Sequence, residues 1–132
     1  MNRFALVSFM AIAVGHGAFA YAQDLLGSYS GSLTYHRGHG GEGQAGVQLF
    51  ITSVDGDVVK GTATVYSGDR FPCRGDYPME GNYEGNKLTM HETQKGGPTS
   101  DCIFRFIVVH DGNKLQGTRG TTGSGLPIWL SK

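Results

Sequence analysis

Three tight-turn signals divide this chain: Asp55-Gly56, Glu84-Gly85-Asn86 and Asp111-Gly112-Asn113, each between two runs of alternating apolar residues. A two-residue hairpin turn needs positive φ, which glycine adopts without steric cost, so these are hairpin signals with a mechanism behind them. Three hairpins in a chain of 132 residues predict an antiparallel β-meander.

Eight strand-like runs flank these turns. Tyr29, Gly31, Leu33 and Tyr35 share one parity, then Val47, Leu49 and Ile51, then Val59, Gly61, Ala63 and Val65. Cys73, Gly75, Tyr77, Met79, Gly81 and Tyr83 follow, then Leu88 with Met90, and Cys102 with Phe104, Phe106 and Val108. Leu115 with Gly117 and Ile128 with Leu130 complete the set. The opposite parity is mostly Ser, Thr, Lys and Asp, as a half-buried antiparallel sheet requires. Ile103, Ile107 and Val109 break that rule, which predicts a strand covered on both sides or bordering a partner. No segment after the leader keeps helical periodicity over three turns. Glycines inside the strands (Gly31, Gly61, Gly75, Gly81, Gly117) predict bends, hence a curled or closed sheet. The expected fold is an all-β, eight-stranded antiparallel meander barrel, or a curled sandwich, with one disulfide.

Residues Met1 to Ala22 read as a secretory signal peptide. Arg3 supplies the positive start, Phe4 to Val14 the apolar stretch, and Ala20-Tyr21-Ala22 the small residues before a cut at Gln23. Ala18-Phe19-Ala20 offers a second cut. The apolar stretch is shorter than the roughly 20 residues of a spanning helix, and no cysteine follows to carry a lipid. The expectation is a soluble extracytoplasmic protein, periplasmic or secreted, with residues 23–132 as one domain and no membrane anchor.

Loss of Arg3 takes the charge balance from 11 cations against 11 anions to 10 against 11. A near-neutral chain without a basic block argues against nucleic acid as a partner. Cys73 and Cys102, with no cysteine left over and no C-x-x-C, read as one disulfide in an oxidising compartment.

In a meander the connections alternate between two ends. The three tight turns are the second, fourth and sixth, and share one end. His36 to Ala45, Ser67 to Pro72, Gln94 to Asp101 and Gly120 to Leu126 are longer and share the other. Both cysteines then begin strands at the long-loop end, where the disulfide would staple two loops.

Chemistry-bearing motifs are sparse. His36, Arg37, His39 and Glu42 are the nearest approach to a metal constellation, since imidazole and carboxylate suit Zn²⁺ or Cu²⁺. The segment is Gly-rich and lacks a clear fourth ligand, so a solvated loop is the stronger reading and no metal or cofactor is assigned. Arg74-Gly75-Asp76 resembles integrin-recognition tripeptides but alternates with core residues rather than capping a tip. Gly27-Ser28-Tyr29-Ser30-Gly31 has tyrosine where a nucleophile elbow needs serine. Gly120-Thr121-Thr122-Gly123-Ser124-Gly125 lacks the lysine of a phosphate loop. Asp69, Glu80, Glu92 and Asp101 read as surface carboxylates. The inward rings of Tyr29, Tyr35, Tyr77, Tyr83, Phe104 and Phe106 read as packing, whereas Tyr66 and Trp129 read as surface contacts.

Strand count and turn pattern resemble those of the eight-stranded lipocalin and avidin-like barrels. Leu26-Gly27-Ser28-Tyr29 lacks the glycine-then-tryptophan pair that opens the lipocalin barrel, so the resemblance extends to architecture alone. The leading expectation is a non-catalytic binding protein that meets a small molecule or a protein through the long loops. Its candidate binding residues are His36, Arg37, His39, Glu42, Asp69, Arg70, Lys95 and Asp101. A secreted adhesive or inhibitor protein is the alternative; a small hydrolase or a metal-binding protein is less well supported.

Overall fold

Each predicted run forms a strand, and each strand pairs antiparallel with its successor. The computed structural model describes residues 24–36, 41–68, 71–94, 102–119 and 125–132. The strands are β1 (Gly27–His36), β2 (Glu42–Asp55), β3 (Val58–Val65), β4 (Gly75–Glu84), β5 (Lys87–Glu92), β6 (Arg105–Asp111), β7 (Lys114–Arg119) and β8 (Leu126–Ser131). β8 returns to β1 through Ser30↔Ser131 to Leu33↔Ile128, which closes the sheet into a barrel. Closure decides between the two sheet arrangements left open by alternation.

The turns form as their glycines require. Gly56, Gly85 and Gly112 hold φ of 64°, 63° and 62°, and the residues flanking each two-residue loop pair directly, as in Asp55↔Val58. Inward parity supplies the core. Tyr29, Leu49, Val59, Leu88 and Leu115 are fully buried, and Leu33, Val47, Tyr77, Met90, Phe106, Val108, Ile128 and Leu130 nearly so. Fully burying one such aliphatic or aromatic side chain contributes about 1.5–3 kcal/mol. Tyr77 meets Phe104 edge-on at 5.3 Å between centroids, and Phe104 meets Phe106 at 5.6 Å. Tyr83 is half-buried at the barrel's end rather than enclosed.

Three strand starts differ from the sequence reading. The first long connection is 37–41 rather than His36 to Ala45, because Gly43 to Ala45 continue β2 and Ala45, opposite Leu33, is fully buried. Gly43 is there because the Tyr35 ring lies on it, with Tyr35 Oη 2.7 Å from where a Cβ would stand. The local glycine content looked like a loop. Cys73 and Cys102 do not begin strands either, but precede β4 and β6 in the chain. They are bonded, with Cα atoms 5.3 Å apart, at the barrel end opposite the tight turns.

Candidate functional site

The two ends of the barrel are built differently. At the turn end, Leu25 folds in beneath the strands and is fully buried, with Asp24 exposed beside it. The Tyr29 hydroxyl donates to the Leu25 carbonyl at 2.8 Å. Lys132 Nζ donates to the Asp24 carbonyl at 2.6 Å and lies over the Tyr29 ring. His110 continues the inward parity of Phe106 and Val108. Its Nδ1 is 2.8 Å from the Tyr83 hydroxyl and its Nε2 is 2.8 Å from the Gly112 carbonyl. A carbonyl can only accept, so Nε2 carries a proton toward Gly112, and Nδ1 shares a hydrogen bond with the Tyr83 hydroxyl. A cleft of about 480 Å³ remains here, lined by Asp24, Tyr83, Asn86, His110 and Asp111 among others. Its imidazole and hydroxyl are partnered within the chain.

Burial pushes the Tyr29 hydroxyl up from 10.0 to about 12, with Tyr83 and Asp24 adding to the shift. Burial also raises Tyr77 and Tyr83. A raised folded-state value means that protonated tyrosine stabilises the fold, fully below the unfolded value and less as pH rises through the folded one. Urea titrations are therefore expected to show stability falling between pH 10.0 and about 12, and Tyr29→Phe should flatten that fall. A stability independent of pH across this range would contradict the buried hydroxyl.

The opposite end holds a charge. Leu115, Gly117 and Arg119 share the inward parity of β7, so Arg119 enters the barrel mouth half-buried. Its Nε–H donates to the Thr34 carbonyl at 3.1 Å, and its guanidinium lies 5.6 Å from the centroid of Phe71. Phe71 rests in turn on Tyr35, with centroids 4.6 Å apart. Burial lowers the Arg119 pKa, opposed by Tyr77; the guanidinium nonetheless stays charged. Among the described residues no carboxylate pairs with it; the ion pairs there are Lys60–Glu80 and Arg105–Glu92. Beside Phe71 an open hollow of about 520 Å³ is lined by Tyr66, Phe71, Pro72, Arg74 and Gly75.

Glu92 corrects the sequence reading. Its side chain is 9% exposed, not a surface carboxylate. It accepts the Phe104 N–H and pairs with Arg105 at 3.4 Å, which anchors the chain between Cys102 and β6. Tyr77 donates to the Cys73 carbonyl on the other side of the disulfide.

Of the sequence-predicted site residues, His36 and Glu42 are brought together as direct cross-strand partners, both exposed, at the end of the β1–β2 hairpin. Arg37, His39, Asp69, Arg70, Lys95 and Asp101 lie outside the described residues. Among the described residues no three His, Cys, Asp or Glu side chains form a metal-holding group. Asp76 accepts a hydrogen bond from Thr64 at 2.7 Å on the outer face of β4, so the Arg-Gly-Asp tripeptide spans the start of a strand. Arg119 and Phe71 were missed. The available signal was a charged residue continuing the inward alternation after Leu115 and Gly117. Ile103, Ile107, Val109 and Trp129 are exposed on the outer face at 45–50%.

No protein-family model matches this chain, and comparison with curated proteins and with solved structures finds no match.

Proposed function

We propose that this chain is an exported, soluble, non-catalytic binding protein that recognises its ligand at the long-connection end of the barrel. The observation that carries the reading is the contrast between the ends. At one end Leu25, Tyr29 and His110 bond within the chain, while at the other the longer connections join the strands, beside a disulfide and a half-buried Arg119 with no carboxylate partner among the described residues. Loops on a rigid scaffold are where recognition concentrates. Residue choice points the same way. All five arginines of residues 23–132 belong to this end or to connections that join strands there, and four of the five lysines lie toward the turn end. Arginine's planar fork suits directional recognition, whereas lysine solubilises as a point charge. The disulfide is consistent with an extracytoplasmic location, and the signal-like leader supports the same location.

The test is a pull-down from an envelope extract. Joint alanine substitution of His36, Arg37, Asp69, Arg70 and Lys95 is expected to abolish specific capture. Substitution of Asp57, Glu84 and Lys114 at the turn end should leave it intact. Equal capture by both variants would reject the reading. Self-association through the exposed strip of Ile103, Ile107, Val109 and Trp129 is a second reading. Sedimentation of the purified domain as a dimer, lost on Ile107→Lys, would favour it.

A further inference from the structure

Arg119 is an expensive residue to place where it is. Partly withdrawing a guanidinium from water has a cost that hydrogen bonds, ring contacts or a counter-charge must offset. Among the described residues it receives one backbone carbonyl, from Thr34, and one ring face, from Phe71. Both are stabilising and neither carries charge. The Thr34 bond occupies Nε, and the donors of the two Nη groups, arranged in one plane, have no acceptor among the described residues. No buried side-chain nitrogen or oxygen among the described residues lacks a partner, so these donors face solvent rather than a dry interior. The ring that supports the guanidinium also forms a wall of the adjoining hollow, with Tyr66, Pro72 and Gly75.

We propose that Arg119 receives a single carboxylate carried on a flat apolar body, with the body lying in the hollow beside Phe71. One carboxylate matches the one charge held in the mouth, and its two oxygens match the spacing of two parallel N–H donors. A phosphate dianion would need a second cation, and Arg74, which also lines the hollow, is exposed, so its charge is screened by water. The tyrosine, phenylalanine, proline and glycine among the walls favour a ring or short aliphatic group, since aromatic pairing adds to simple area burial. The proposal rests on the binding-protein reading above and adds to it a ligand class and an anchor residue. Arg119 orients and neutralises; it performs no chemistry.

The experiment is a nuclear magnetic resonance titration of the isotope-labelled full domain, following the Arg119 Nε–H and Phe71 resonances. The probes are benzoate, acetate, benzyl alcohol and inorganic phosphate. Benzoate is expected to shift both resonances saturably, about tenfold more tightly than acetate, a difference of about 1.4 kcal/mol; benzyl alcohol should move neither. Arg119→Gln should remove the benzoate response, and Arg119→Lys should weaken it severalfold while preserving the fold. Phe71→Leu should bring benzoate close to acetate. Phosphate binding as tightly as benzoate, or a benzoate response that survives Arg119→Gln, would overturn the proposal. So would silence to every probe, because Arg119 would then be neutralised within its own chain. If benzoate fails while the five-residue loop variant still loses its partner, the carboxylate site falls and the wider binding reading stands.

Discussion

Gly31→Ala is expected to unfold the barrel at its closing seam, with a loss of about 3 kcal/mol or more. A Cβ at Gly31 would overlap the Trp129 carbonyl oxygen and stand 2.7 Å from Leu130 Cα. Both obstacles are backbone atoms of β8, so no side-chain rotation relieves them; the strands must separate. Overpacking a core typically costs about 1–3 kcal/mol when side chains can adjust, and here they cannot. The β1–β8 ladder has four register pairs, fewer than the other seams, so it has little to lose before it opens. Against a total stability of about 5–15 kcal/mol the change is severe. Gly56→Ala is the control: it sits at positive φ but a Cβ there meets nothing within 4 Å, so its cost should stay near 1–2 kcal/mol. Urea denaturation of both variants decides the matter. A Gly31→Ala loss below that of Gly56→Ala would mean that the sheet is not closed where Gly31 meets Leu130.

The same clash recurs at Gly61, Gly81 and Gly117, each against the backbone of a neighbouring strand. This explains why the fold was legible. Alternation gave the inward set, the turn glycines gave the pairing order, and interior glycines marked where strands approach too closely for a side chain. All three signals are local in sequence and act through the backbone. The register slip in β2 between Ile51 and Ser53 left no such mark. Thr52 occupies the extra position, and threonine is an ordinary strand residue on either face.

The candidate site was less legible because it depends on contacts distant in sequence. Arg119 meets Thr34 across 85 positions, and Phe71 reaches Tyr35 from a connection whose composition alone looks like any loop. A glutamate before a cysteine-containing segment reads as surface, yet Glu92 turns inward because the Phe104 N–H needs an acceptor there. A buried backbone donor left unpaired would cost about 1–3 kcal/mol, and that cost is invisible to periodicity. Leu25 is a similar case. It lies next to the leader and outside every alternating run, so nothing in sequence marks it as the stopper of the turn end.

Replacing both cysteines with alanine should cost about 3–4 kcal/mol, through loop-closure entropy released to the unfolded chain. The estimate follows from a sequence separation of 29 between Cys73 and Cys102. For a domain of this size it corresponds to a fall in Tm on the order of 15 °C. Two further readouts identify the mechanism. If the bond acts on the unfolded state, the variant's unfolded chain expands and the urea m-value rises, while the folded fingerprint changes only around the two substituted positions. If it instead holds the mouth in shape, the resonances of Tyr35 and Arg119, which contact Phe71 but are distant in sequence from both cysteines, shift as well, and benzoate binding weakens with them. The two effects separate by substitution, since Phe71→Leu should alter binding with little effect on the m-value. A stability loss below about 1 kcal/mol would mean that the eight closed ladders already restrict the chain as much as the cross-link does. A loss of the expected size makes the barrel's stability conditional on compartment, because reducing surroundings would remove the bond and its contribution together.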